Sequence, residues 1–289
     1  MSDSLRKIVV FLLVGAGAFA LAFGLGRMVG EEKEPVDHEK HAGHAESSYT
    51  VDLIGADGLQ PDKQELRFSV LADDGERVTA YDVVHEKKLH LIVVDRNDPR
   101  VYAHLHPTMS NGGVWGVPTT FGPGDYRLYA DTKPADGAAQ VLTADFTVTG
   151  APVADEKAVF TPNDTATVDG FEVALEADGS AYTFTVTKAG QPVELEPYLG
   201  AGGHLVGVRA ETLDYLHAHA LDAEGNTVGF HVEAPRSGTW VLHLDFQVDG
   251  SVHDATFVQR LEADGPGSGM GEHMQHMDEE ETEGDEHHH

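Results

Sequence analysis

The sequence predicts an all-β protein: two tandem β-sandwich domains, Ig-like or cupredoxin-like, behind an N-terminal transmembrane helix. Two observations carry the β assignment. Short apolar runs recur at regular intervals between Gly, Pro and Asp turns, as sandwich strands do, in a chain with 32 Gly and 13 Pro. The pattern then repeats at an offset of about 114 residues. A third observation, the uncharged N-terminal run Ile8–Gly26, carries the helix.

In chain order, residues 1–30 form a membrane anchor or signal. Ile8–Gly26 is long enough to cross a bilayer as a helix. Arg6 and Lys7 precede it and hold the N-terminus inside, which sends the rest of the chain out of the cytoplasm. Ala18-Phe19-Ala20 has the small-x-small form of a cleavage site, which leaves a cleaved signal peptide as the alternative. Residues 31–48 are a polar linker carrying His38, His41 and His44, either a metal-catching tract or a solvated spacer.

The first β repeat spans 49–150, with strands expected at Leu66–Leu71, Arg77–Val84, Leu89–Val94, Val101–His106, Tyr126–Ala130 and Val141–Val148. Residues 151–166, with two prolines, mark the boundary, and the second repeat covers 167–261. Leu66–Val70 aligns with Tyr182–Val186, Gly75–Val78 with Gly190–Val193, and Gly124-Asp125-Tyr126 with Gly238-Thr239-Trp240. Trp115, Trp240, Phe146 and Phe257 are expected in the cores. The tail, 262–289, interleaves Met270, Met274 and Met277 with His273 and His276, a soft ligand set suited to copper.

Histidine is the unusual residue, at 18 copies. In YLGAGGHLVGVRAETLDYLHAHA, His204 precedes an apolar run and His217 and His219 close a second one. A hairpin turning at Ala210–Glu211 brings His204 beside the pair, and the period of two turns His217 and His219 to one face with Ala218 opposite. LHLIVVDRNDPRVYAHLHP repeats the device with His90, His104 and His106 around an Asn97–Asp98 turn. Each trio is expected to ligate one metal ion. Imidazole suits copper first here, with zinc second because three histidines and an open position are also a zinc pattern. Coordination needs neutral imidazole, so binding is expected to weaken below about pH 6.5.

Asp131 and Asp245 close equivalent strands, as hydrogen-bond partners of ligating histidines or as plain solvent-facing ends. Met109 is either a cap on a soft site or a packing residue. His231, His243 and His253 have no histidine counterparts in the first repeat and are expected at the surface.

Composition narrows the function classes. With 49 acidic and 19 basic residues the formal net charge is −30, which repels nucleic acid and anionic lipid. The absence of cysteine excludes disulfides, iron–sulfur clusters, thiolate zinc and the cysteine-ligated blue-copper centre. No enzyme signature is present: Gly200–Gly203 leads into a strand, not a phosphate-binding helix, and no nucleophile elbow occurs.

The stretches YLGAGGHLVGVR…LDYLHAHA and KLHLIVVDR…YAHLHP resemble a family of secreted or anchored bacterial proteins. Those proteins are labelled heavy-metal-associated or YtkA-like and are found with copper-handling proteins. Gly202-Gly203, His204, Arg209 and Tyr215-Leu216-His217 carry the likeness. The motif ends in His-x-His-Pro, which the first repeat keeps at Pro107 while Ala220 replaces it in the second. The resemblance implies an envelope location and a partnership with copper-handling proteins. The resulting expectation is a membrane-anchored copper buffer or delivery protein. The alternative is an envelope interaction module whose histidines are structural.

Overall fold

The computed structural model describes residues 49–55, 59, 64–150 and 158–263. The apolar N-terminal run, His38, His41 and His44, and the Met270–Met277 ligand set lie outside them. Among the described residues the chain is all β, and no helix is long and apolar enough to cross a membrane.

Each repeat pairs two antiparallel sheets. In the first, β1 (Tyr49–Leu53), β2 (Gln64–Ala72), β6 (Val114–Thr119) and β5 (Thr108–Met109) form one sheet in that order. The other runs β4 (Tyr102–Leu105), β3 (Leu89–Asp95), β7 (Gly124–Thr132), β8 (Gln140–Val148). The second repeat reproduces the latter with β14 (Tyr215–His217), β13 (His204–Arg209), β17 (Gly238–Val248) and β18 (Ser251–Leu261). Its partner sheet is β15 (His219–Glu224), β16 (Thr227–His231), β11 (Ala181–Lys188), β10 (Phe171–Asp178), β9 (Thr165–Val168), with β12 (Gln191–Pro192) on β11. Arg77–Val84 is not the expected strand. It crosses from one sheet to the other and makes only isolated bridges, at Arg77, Tyr81 and Val84.

Trp115, Phe68, Leu91 and Leu128 fill the first sandwich, and Trp240, Phe184, Phe230 and Phe257 the second. Met109 packs on the first core. A third cluster joins the repeats: Ile92, Val94, Tyr129, Val206 and Val208, with Tyr102, Leu213 and Tyr215 against it. Strands β3 and β13 are therefore buried on both faces, which explains their unbroken apolar runs. Leu89, Leu91 and Val93 face their own core, while His90, Ile92 and Val94 face the other repeat. Both repeats fall in one compact unit.

Candidate metal centre

The hairpin register differs from expectation by two residues. His104 stands opposite Ile92, and His217 opposite Val206, so the direct partners of His90 and His204 on the other flank are Asp131 and Asp245. An even shift keeps every side chain on its face, so the histidines still converge, but across the interface between the repeats. The two independent triads become one composite cluster.

Its rings lie close together. His90–His104, His90–His106 and His104–His106 are 5.4, 5.2 and 4.7 Å apart between centroids. His204 of the second repeat reaches in at 4.6 Å from His104 and 5.4 Å from His90, with His217 at 5.0 Å beyond it. The ligating atoms of His90, His104 and His106 all lie within 4.8 Å of one another, as do those of His104, His204 and Asp245.

His219 stands at the rim of the cluster, its ring 6.3 Å from that of His217. Strand β14 ends at His217, and the chain passes into the partner sheet, where His219 pairs with His231 and is exposed. In the first repeat β4 ends at Leu105, and His106, which stays at the cluster, and Pro107 lie in the crossing to β5 of the partner sheet. In the second repeat the partner-sheet strand starts earlier, at His219 itself, and Ala220 pairs within it.

Two residues that the repeat pattern concealed belong to the site or its support. His85 follows Val84 in a tight turn whose central residues, His85 and Glu86, have φ of 47° and 64°. Its ring is 5.3 Å from His217 and 6.4 Å from His204. Its counterpart in the second repeat is Leu199, φ 56°, so no repeated histidine advertises it. His243 is fully buried rather than superficial: it stacks on Tyr102 at 3.8 Å and its Nε2 donates to the Pro99 carbonyl at 3.0 Å. Its place in the unbroken apolar strand WVLHLDF was the available signal.

Carboxylates orient the cluster from across the interface. His104 Nδ1 bonds Asp245 Oδ2 at 2.6 Å, and His217 Nδ1 bonds Asp131 Oδ2 at 2.8 Å. Tyr102 Oη also donates to Asp245, at 3.2 Å. Asp131 and Asp245 are thus histidine partners, not solvent-facing ends. A carboxylate on one imidazole nitrogen directs the other toward a metal and raises its basicity. For His104 that other nitrogen, Nε2, lies 3.1 Å from His90 Nδ1, while His90 Nε2 donates to the Val84 carbonyl at 3.1 Å.

Burial keeps these groups neutral. It pushes His90 and His104 down to about 4 and His106 to about 3, and holds His204 well below the ordinary histidine range. Burial, reinforced by the nearby Asp254 carboxylate, pushes Asp245 up to about 8. With Asp245 protonated, its proton, His104 and His90 form a satisfied chain to Val84. With Asp245 ionised, His90 Nδ1 and His104 Nε2 present facing lone pairs that only a cation could reconcile. His106 Nε2 and both nitrogens of His204 are buried with no hydrogen-bond partner. Unpaired buried polar atoms are costly, and three of them converging among neutral imidazoles fit a metal site.

Comparison with curated proteins finds no match. Among solved structures, one match is the Escherichia coli adhesin FdeC, a broadly conserved adhesin eliciting protection against urinary tract infections. Identity is 15% and the TM-score 0.24, over 73% of this chain and 63% of that one. A family described as "Domain of unknown function (DUF8832)" matches twice, over residues 44–151 and 166–263, the two halves that meet at the histidines. The chain belongs to that family.

Proposed function

We propose that this is an extracytoplasmic, membrane-anchored metal-binding protein, and not an enzyme, that buffers a transition metal or hands it on. Copper is the first choice and zinc the second. The carrying observation is His204, 4% exposed, with both ring nitrogens unpartnered among four other imidazoles. The donors are nitrogen with flanking carboxylate, a set that binds Cu²⁺ more tightly than Zn²⁺ by the ordinary divalent-metal affinity order. The export reading rests on Arg6, Lys7 and the Ile8–Gly26 run. The association with copper-handling envelope proteins rests on the family resemblance of the two histidine stretches. The cysteine-free, histidine-lined sandwiches are read as Ig-like or cupredoxin-like.

Metal bound only by the folded state stabilises it by about 2.7 kcal/mol at a hundredfold excess over the dissociation constant. Copper should therefore raise the melting temperature of the full-length protein, and His104→Ala with His204→Ala should abolish the rise. Ligands in the flanking tails do not distort that readout unless they couple to the fold. A rise that survives the double substitution, or no rise in the wild type, makes the cluster structural and favours the interaction-module reading. A reporter fused after Leu261 should be active only outside the cytoplasm.

A further inference from the structure

We infer that the cluster holds two metal ions side by side, the second bound by His85, His204 and His217; this rests on the metal-binding reading above. Three imidazoles on one ion, with metal–nitrogen distances near 2.0–2.1 Å and angles between them of about 90–120°, set ring centroids about 4.5–5.5 Å apart. His90, His104 and His106 meet that condition at 4.7–5.4 Å. In a second trio His204–His217 at 5.0 Å and His85–His217 at 5.3 Å also meet it, while His85–His204, at 6.4 Å, closes only if the exposed His85 side chain turns inward. The trios abut at His104 and His204, 4.6 Å apart.

The support is duplicated as well. Each trio contains one histidine whose Nδ1 is held by an aspartate of the opposite repeat, His104 by Asp245 and His217 by Asp131. That bond leaves Nε2 as the metal-facing atom in both. His204 lies between the trios with two buried nitrogens that have no hydrogen-bond partner, Nδ1 standing 4.0 Å from Asp245 Oδ2. His85, whose ring is nearer His217 at 5.3 Å than that of His219 at 6.3 Å, supplies the third ligand. It does so from the first repeat, at an exposed turn, which makes the second ion the solvent-facing one. The ligand class is a divalent transition cation, Cu²⁺ or Zn²⁺, with an open position toward solvent.

His85→Leu tests this with little risk to folding, because Leu199 occupies the equivalent left-handed turn position in the second repeat. Full-length wild type and His85→Leu are loaded with excess Cu²⁺, desalted, and compared by metal count per chain and electron paramagnetic resonance. Tail-bound copper is common to both. The wild type should show a spin-coupled pair with a half-field signal, and His85→Leu should lose that signal and about one copper per chain. Equal copper content with no coupled signal in either protein overturns the second ion and leaves the first standing. Failure of copper to raise the melting temperature of either overturns the metal reading itself.

Discussion

His104 of the first repeat and Asp245 of the second share a 2.6 Å hydrogen bond, each side chain less than 5% exposed. Asp131 returns the contact to His217 at 2.8 Å. The exchange follows from a two-fold relation between the repeats, which also pairs Tyr129 Oη→Leu213 O, 2.7 Å, with His243 Nε2→Pro99 O, 3.0 Å. One interface therefore both joins the sandwiches and aims the imidazoles.

Asp245→Asn should weaken copper binding about 10–100-fold, the usual cost of losing a carboxylate behind a metal-bound histidine. The amide keeps the shape, so the metal-free melting temperature should change little. Competition titration against a chelator of known affinity reads the loss. Unchanged affinity would show that His104 does not ligate.

Metal-free stability should fall as pH drops from about 7 toward 4. His90, His104 and His106 are lowered to about 4, 4 and 3 in the folded protein. The unfolded chain takes up protons from about pH 6.5 that the folded one refuses, so stability is lost across that window. Asp245, raised to about 8, acts in the opposite direction between pH 8 and 4, but one group faces several histidines. Thermal melts at pH 7 and 5 should differ by at least about 5 °C. For the same reason copper should remain bound at pH 5.5, below the ordinary imidazole range from which weakening was expected.

Ile92→Ala should destabilise the protein by about 2–5 kcal/mol, the range for a large-to-alanine change in a core. Ile92 is fully buried between the repeats and not within either sandwich. Calorimetry should thus resolve two transitions in the variant and one in the wild type. A single lowered transition would mean that the sandwiches do not melt separately.

Gly203→Ala should impair both fold and site. A Cβ there would lie 2.9 Å from the Asp245 backbone carbonyl and 3.5 Å from Leu244. Backbone cannot swing aside as a side-chain end can, so overpacking of about 1–3 kcal/mol is expected. The shift would move Asp245 from His104. Reduced copper affinity together with a lowered melting temperature checks it.

The β class, the repeat and the core aromatics were legible in the sequence because alternation, turn residues and offset are local properties. So was the common face of His90, His104 and His106, since a period of two survives any even slip in register. The sequence also showed that the repeats differ beside His219, at Ala220, where the first repeat has Pro107. The partners of those histidines were not legible. His104 meets Asp245 across 141 positions and His217 meets Asp131 across 86, and only docking of the two sandwiches brings them together. His85 has no repeated counterpart, and His243 replaces an aromatic at Tyr129's position, so the alignment that exposed the other histidines concealed these two. The local pattern determined which side chains share a face; the packing of one repeat on the other decided that they form one centre.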